Sequence, residues 1–386
     1  MNLKIQRARL LAAFEKRFGG GARPRAALAP GRVNLIGEHT DYNGGLVLPM
    51  AIDRHTVALF RPNDTHTIRV HAEVLNSSDE FNISKISPLK VRNKLWANYV
   101  RGTAWALAGV GVKLRGGDLL IDSDLPSGAG LSSSAALEIS TGLAFLALAG
   151  VTLDAQKLAL CGQRAEHHFA GVRCGIMDQT VVACARAGHA LLLDCSSFEI
   201  KHIPIKLKGL SFAIFDTGVR HKLAASEYNK RRAECESAAK ILGLKSLRCA
   251  TLETQLKHLG KLQPVEERRV RHITTENARV VQFAAALKRG DAAELGYLLK
   301  ASHMSLMQDF EVSCAELDDL VFELVSPCCD KQPCPGARMT GGGFGGAVVA
   351  LLKTKTFDDC KRAAKDLAHG GCMLLTPADG AKVVLL

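Results

Sequence analysis

Residues 126–136 read PSGAGLSSSAA and join two segments of different character. A strand-like run, GDLLIDSDL, precedes them, and a helix-like run over residues 132–149, ended by Gly150, follows. Glycine lets the backbone turn tightly, and the first turn of a helix presents unpaired N–H groups at the positive end of its dipole. The pattern therefore predicts a phosphate-binding loop of neither the Walker A nor the G-x-G-x-x-G type. A plain connector is the alternative.

The hydroxyl of Ser134 in this loop is a candidate magnesium ligand. Magnesium prefers hard oxygen ligands and usually keeps waters and substrate phosphates in its coordination shell. A carboxylate partner is available in Glu166, on a second predicted helix over residues 154–169 with Asp154 as its N-cap. The alternative for Glu166 is a surface side chain beside Arg164.

Helix-like and strand-like segments interleave in both halves of the chain. Downstream of the loop, we predict strands at LSFAIFDTG, GAVVALL and KVVLL, and helices over residues 226–242, 276–288, 292–307 and 357–367. This order predicts two α+β domains, residues 1–205 and 206–386, with a ligand cleft between them.

Length and composition favour a folded protein of more than one domain. The chain has 386 residues, of which 47% are hydrophobic and 23% charged, and a domain takes roughly 150 residues. The uncharged stretch over residues 142–151 is too short to span a bilayer, which needs about 20 residues, so we predict no membrane partner. Residues 1–18 suit a surface helix, with a mitochondrial leader as the alternative.

The net charge of +12 fits nucleic acid, an anionic membrane surface or an anionic small ligand. The densest basic run, EERRVR over residues 266–271, contains its own acids and is interpreted as a solvated helix face. Aromatic residues make up only 5% of the chain, and none alternate with basic residues as a base-stacking surface requires. We therefore predict no nucleic-acid partner.

The twelve cysteines are dispersed, many of them in apolar runs such as LLLDC. Buried free thiols explain them best and predict a cytoplasmic protein. The one cluster, Cys328, Cys329 and Cys334, has no C-x-x-C pair and no histidine at zinc spacing. We interpret it as part of a Pro-rich loop.

Residues 29–45, APGRVNLIGEHTDYNGG, place Arg32, Glu38, His39 and Asp41 around a short apolar run. Such a segment can be neither wholly buried nor wholly exposed. Carboxylates and a histidine in a glycine-rich loop can hydrogen-bond the hydroxyl groups of a sugar. A solvated loop is the alternative.

Residues 174–179, CGIMDQ, place Asp178 among apolar neighbours. A carboxylate buried there requires a cation or hydrogen-bond donors. Arg32 is the candidate cation, and the pair would then suit removal of a proton from a hydroxyl group. An exposed turn or helix cap is the alternative. A further glycine-rich segment, MTGGGFGGAVVALL over residues 339–352, allows close backbone approach before a strand.

Together these segments resemble the galactokinase family of the GHMP small-molecule kinase superfamily. The signatures GRVNLIGEHTDYNGG, LPSGAGLSSSAALE, CGIMDQ and ARMTGGGFGGA occur in family order, and DTGVRHKLAASEYNKRR over residues 216–232 is a fifth. The resemblance implies an N-terminal domain like ribosomal protein S5 domain 2, a ferredoxin-like C-terminal domain, and ATP-dependent phosphorylation of the anomeric C1 hydroxyl of galactose.

The resemblance also implies a role for each matching residue. Arg32 and Asp178 match the catalytic pair, in which Asp178 accepts the hydroxyl proton while Arg32 keeps it ionised and stabilises the transferring charge. The sugar-binding positions are Glu38, His39, Asp41, Gly175, Asp178 and Tyr228. The ATP-binding positions are Trp96, Gly128, Ala129, Gly130, Leu131, Ser132, Ser133 and Ser134. The magnesium ligands are Ser134 and Glu166.

The sequence departs from the family pattern in two places. Lys222 and Ala225 in the fifth signature stand at positions expected to be serine, and residues 327–335 are unusually rich in Cys and Pro. Kinases of N-acetylgalactosamine or arabinose are the nearest alternatives, because their signatures overlap and small changes in the pocket alter the sugar preference. A galactose sensor without turnover is an alternative of another class, but the intact SSS run, Arg32 and Asp178 favour an active enzyme. With no exposed heptad or large apolar seam, we predict a monomer.

Overall fold

The computed structural model of the chain describes residues 3–126, 130–220, 224–258, 260–326 and 334–385. The helices are α1 (Leu3–Phe18), α2 (Ala97–Gly109), α3 (Ser133–Ala149), α4 (Ala155–Ala165), α5 (Met177–Cys184), α6 (Ala224–Ile241), α7 (Leu252–Lys257), α8 (Pro264–Arg289), α9 (Ala292–Gln308), α10 (Ala315–Val325) and α11 (Phe357–Ala363). The strands are β1 (Arg25–Asn34), β2 (Leu46–Val47), β3 (Pro49–Pro62), β4 (Thr67–Ala72), β5 (Ser77–Asn82), β6 (Gly117–Ser123), β7 (His189–Asp194), β8 (Ile200–Pro204), β9 (Leu210–Arg220), β10 (Gly336–Thr340), β11 (Gly345–Lys353), β12 (Gly371–Leu374) and β13 (Lys382–Leu385).

The larger sheet has the strand order β13-β1-β3-β6-β4-β5 and is covered on both faces. Side chains alternate across β1: Ala26 and Leu28 pack with α1, while Ala27 and Ala29 belong to the core that includes α3. This two-sided burial explains why β1 is apolar along most of its length. It also brings the end of β1 close to the start of α3.

The second sheet has the order β10-β11-β9-β12 and is antiparallel throughout. When the four strands are numbered in chain order, they lie side by side as 4-1-3-2. Helices connect the first strand to the second and the third to the fourth, which is a β-α-β-β-α-β arrangement. A small sheet, β2-β7-β8, lies between β3 and α8. The expected α+β class is confirmed.

The last strand returns to the first sheet. β13 pairs antiparallel with β1, with Leu385 opposite Arg25 and Lys382 opposite Leu28. Residues far apart in the chain therefore complete one sheet. The division of the chain into two domains between residues 205 and 206 stays a prediction.

Three local expectations differ from the structure. The helix predicted over residues 276–288 begins earlier, at Pro264, where Gln263 and Glu266 form a capping box. The run EERRVR at its start is not simply solvated, because Arg269 is 1% exposed and bonds Glu234 and Glu311. The helix predicted over residues 154–169 divides instead into α4 and a π-helical turn, Glu166–Ala170.

The cysteines in the described ranges form no disulfide bond, and Cys334 is buried. Cys328 and Cys329 lie outside the described residues. Among the described helices, none combines the length and apolarity that crossing a membrane requires.

Candidate active site

Arg32 and Asp178 form a two-pronged ion pair between β1 and α5. Arg32 Nε donates to Asp178 Oδ1 at 2.7 Å and Nη2 donates to Oδ2 at 2.6 Å. The arginine is 5% exposed, whereas the carboxylate side chain is 26% exposed and lines a cavity. The pair expected from the sequence is therefore present, and its geometry is that of a strong charge-assisted contact.

The loop before α3 is fixed to the same pair. The backbone N–H of Arg32 donates to Leu131 O at 3.1 Å, and its Nη1 donates to Gly130 O. Ser132 has φ of +57°, and its hydroxyl donates to Asp178 Oδ2 instead of capping the helix. A left-handed serine is an unusual conformation, and here it directs the hydroxyl at the candidate base.

Ser133 and Ser134 form the first turn of α3, directly after this loop. The N–H groups of a first helical turn lack partners within the helix and attract anions. Gly128 and Ala129, also predicted to bind ATP, lie outside the described residues. The described part of the loop thus places a helix N-terminus beside Asp178.

Glu38 connects the segment after β1 to the second sheet. Its Oε1 accepts hydrogen bonds from Arg338 Nη2 at 3.2 Å, from the Thr340 hydroxyl at 3.0 Å and from Gly341 N at 2.8 Å. Arg338 is fully buried and also donates to Leu35 O at 2.8 Å. Both sheets therefore contribute to the wall of the cavity at this point.

His39, Tyr42 and Tyr228 form a cluster of rings beside Glu38. His39 Nδ1 lies 2.8 Å from the Tyr42 hydroxyl, and its ring centroid lies 5.4 Å from that of Tyr228. Burial lowers the pKa of His39 to about 3, and the positive charges nearby act in the same direction. The imidazole is therefore neutral near pH 7 and offers hydrogen bonds rather than charge.

Asp41 lies in the same cavity against Gly175. Burial and the neighbouring charge of Asp178 raise the pKa of Asp41 to about 7. A Cβ atom at Gly175 would lie 1.8 Å from Asp41 Oδ2, so only glycine fits without displacing the carboxylate. Protonated or ionised, Asp41 provides a hydrogen-bonding group next to Asp178.

We expect Gly175→Ala to raise the KM for the sugar about 10-fold to 100-fold, because the added methyl group must displace Asp41. The KM for ATP should change little. Gly109→Ala is a matched control, since its Cβ would approach only the Arg164 side chain, at 3.5 Å. Equal sugar KM values in both variants, measured by steady-state kinetics, would contradict this account.

The predicted catalytic and sugar-binding residues come together around one cavity of about 180 Å³. Its lining comprises Arg32, Glu38, His39, Asp41, Glu166, Val172, Cys174, Gly175, Met177, Asp178, Tyr228, Gly341 and Gly342. Every sugar-binding position named from the sequence is in this set.

Behind the cavity, two buried carboxylates share one amide. Gln179 Nε2 donates to Glu166 Oε2 at 2.8 Å and to Glu138 Oε2 at 2.9 Å. Burial and the charge of Asp178 raise the pKa of Glu166 to about 7, while hydrogen bonds, one of them to Ser134, act against this rise. Burial, with Glu166 nearby, also raises the pKa of Glu138.

Glu138 and Gln179 were not among the predicted site residues. A signal for Glu138 exists in the sequence, because it follows Ser134 by one helical turn and so lies on the same face of α3. Gln179 is next to Asp178 in CGIMDQ but carries no charge to mark it.

A second cavity, of about 220 Å³, is lined in part by the start of α3. Trp96 lines it, with its Nε1 donating to the Ser77 hydroxyl at 3.0 Å. Ser133 and Ser134 also line it, while Glu166 and Asp178 line the first cavity. The remaining lining residues are Thr56, Ala72, Val74, Leu75, Tyr99, Ile121, Asp122, Ser123, Leu125 and Leu137. The start of α3 therefore lines the second cavity, while Ser132 just before it bonds Asp178 in the first.

Three family models match successive parts of the chain. Residues 12–62 match the galactokinase galactose-binding signature, residues 98–186 match the GHMP kinase N-terminal domain, and residues 283–368 match the GHMP kinase C-terminal domain. The first match includes the segment with Glu38, His39 and Asp41.

The galactokinase of Chloroflexus aggregans is 48% identical over 357 residues, which cover 91% of this chain and 89% of that protein. The chain belongs to the galactokinase family. Another family member, from Chloroflexus aurantiacus, is 46% identical over 90% of this chain and 89% of its own length.

The galactokinase fold is also present in the structure of the Lactococcus lactis galactokinase complexed with galactose. That chain superimposes with a TM-score of 0.90 at 31% identity, over 97% of this chain and 99% of its own. The mevalonate kinase of Methanococcus jannaschii, at 19% identity and a TM-score of 0.63 over 95% and 98% of the two chains, shares the fold alone. The resemblance to the galactokinase family and the GHMP kinase fold are confirmed.

Proposed function

We propose that this galactokinase-family chain transfers the γ-phosphoryl group of ATP to the anomeric C1 hydroxyl of D-galactose, giving galactose 1-phosphate and ADP. The observation that supports this most directly is the placement of the Arg32 and Asp178 pair. The carboxylate of Asp178 lines the first cavity, and the N-terminus of α3 at Ser133 lies beside this carboxylate. A hydroxyl acceptor and a phosphate donor would meet at this point.

In the proposed reaction, the oxygen of the sugar C1 hydroxyl attacks the γ-phosphorus of ATP, and Asp178 accepts the proton of that hydroxyl. The bond from that phosphorus to the β-bridging oxygen breaks, and ADP leaves. Arg32 holds both carboxylate oxygens and places positive charge beside the transferring group. Such a transfer depends mainly on in-line positioning and charge stabilisation.

The nucleotide would lie across the start of α3, with its phosphates at Ser132, Ser133 and Ser134 and its base in the second cavity. Trp96 and Tyr99 offer that base flat apolar contacts, and Asp122 and Ser123 offer it polar ones. The match of residues 98–186 to the GHMP kinase N-terminal domain supports this placement.

The residues present fit a magnesium ion held by Ser134 and Glu166. Glu166 is buried beside other carboxylates, an arrangement that a cation stabilises. In the described ranges, no group of three His, Cys, Asp or Glu side chains could hold a metal, so phosphates and waters would complete the shell. When bound, magnesium neutralises charge on the ATP phosphates.

The test is ADP release with ATP and magnesium across galactose, glucose, N-acetylgalactosamine, arabinose and 2-deoxygalactose, with a sugar-free reaction as the background. We expect turnover with galactose and at least about 100-fold less with glucose, whose C4 hydroxyl would leave buried polar groups unpaired. A preference for N-acetylgalactosamine or arabinose would reassign the substrate. Binding of galactose and ATP without any turnover would instead indicate a sensor.

We also propose that the chain acts as a cytoplasmic monomer without nucleic-acid or membrane partners. Reduced thiols in the described ranges and the need for ATP support the cytoplasm. Sedimentation velocity with and without duplex DNA at low salt tests the oligomeric state and nucleic-acid binding together.

A further inference from the structure

Three polar side chains on the buried face of α8 hold the backbone of the segment that includes Glu38, His39 and Asp41. His272 Nε2 lies 3.1 Å from Glu38 O, Gly37 N donates to Glu276 Oε1 at 2.9 Å, and Leu46 N donates to Asn277 Oδ1 at 2.7 Å. We call His272, Glu276 and Asn277 the helix clamp. The helix clamp bonds the backbone at Gly37 and Glu38 and again at Leu46, at the two ends of the segment that carries the predicted sugar-binding residues. None of its three residues lines the cavity.

The helix clamp is itself supported from behind by α9. Glu276 and His272 are fully buried. Glu276 Oε1 also accepts from the Ser302 hydroxyl at 2.7 Å, and His272 Nδ1 lies 2.9 Å from the Ser305 hydroxyl. Because buried polar groups cost free energy unless paired, such a set is retained only with its partners in place. The clamp therefore has a fixed geometry.

Of the three clamp residues, His272 contacts the backbone of a predicted sugar-binding residue. The carbonyl that it contacts belongs to Glu38 itself, so this ring nitrogen must be the protonated one, and the other accepts from Ser305. The Phe310 ring packs against both histidines, with its centroid 4.4 Å from that of His272 and 4.9 Å from that of His39. A shift of His272 would thus move both Glu38 and His39.

We propose that His272 is a positioning residue for the sugar: it fixes Glu38 and His39 in their binding orientation without touching the substrate. The inference rests on the proposed function, because it assumes that these two side chains contact galactose. It predicts a selective effect on the sugar and none on ATP.

The test compares His272→Phe, which keeps an aromatic ring but no donor, with His272→Gln, which retains an N–H donor. We expect the phenylalanine variant to raise the galactose KM about 10-fold, with kcat and the ATP KM within about twofold of the parent. The glutamine variant should recover most of this loss. Galactose binding measured by equilibrium dialysis, without ATP, should weaken in the same order.

Thr274→Val is the matched control, because within the described part of the chain its hydroxyl bonds carbonyls of its own helix, those of Val270 and Arg271. An unchanged galactose KM in folded His272→Phe, or an equal rise in the ATP KM, would overturn the inference. If His272→Phe does not fold, Ser305→Ala tests the inference instead. We expect this variant to raise the galactose KM about threefold, and an unchanged KM would overturn the inference. Failure of the parent chain to phosphorylate galactose would instead reject the proposed function.

Discussion

Asp178→Asn is expected to lower kcat with galactose about 1,000-fold, within the range that loss of a general base produces. Asparagine has nearly the same shape but cannot take the hydroxyl proton, and its amide group would face the two Arg32 donors. The folded state and galactose binding should persist. Single-turnover kinetics, together with equilibrium dialysis of galactose, measures the two effects separately.

Asp118→Asn provides the control for this variant. Asp118 is 1% exposed and accepts two hydrogen bonds from Arg69, at 2.7 and 2.8 Å, in a bidentate geometry like that of the candidate pair but away from both cavities. Its replacement should lower the melting temperature and leave kcat nearly unchanged. Near-normal turnover in Asp178→Asn would reject the assignment of this residue as the base.

Arg32→Ala is expected to lower kcat/KM by a similar factor, about 1,000-fold, because it removes positive charge at the transferring group and leaves the Asp178 carboxylate without its partner. The deletion leaves a space of guanidinium shape. Added guanidinium chloride, at concentrations too low to unfold the protein, should therefore restore part of the activity.

Arg69→Ala removes the matching arginine of the control pair and leaves both cavities intact. We expect it to retain activity and to show no response to added guanidinium. If the salt stimulates both variants equally, or neither, then the loss in Arg32→Ala comes from altered packing rather than from missing charge.

Local patterns in the sequence were sufficient to predict the loop before α3 and the helix that begins at Ser133. A strand, two glycines, a serine run and an apolar helix ended by Gly150 are all short-range signals, and the helix bounds agree to within one residue. The Arg32 and Asp178 contact spans 146 residues. It could be anticipated only because each charge stands in an apolar stretch and so requires a partner.

The features of the structure that the sequence did not predict depend on contacts between elements far apart in the chain. The start of α8 is charged in sequence, yet Arg269 is buried because Glu234 and Glu311 reach it from other segments. Likewise, His272 and Glu276 are polar residues of an otherwise amphipathic helix, and nothing in their own stretch indicates the backbone groups of Gly37 and Glu38 that they bind. Such partners are specified only by the tertiary fold.

The return of β13 to the edge of β1 has a consequence for biosynthesis. About 180 residues separate β8 from β13, and a ribosome adds roughly 5–20 residues per second. For between roughly 10 and 35 s, the nascent N-terminal half therefore presents β1 as an open edge, a surface prone to pair with another chain. Dense polysomes translating this protein are where such mispairing would occur, and a holdase that covers strand edges during translation would suppress it.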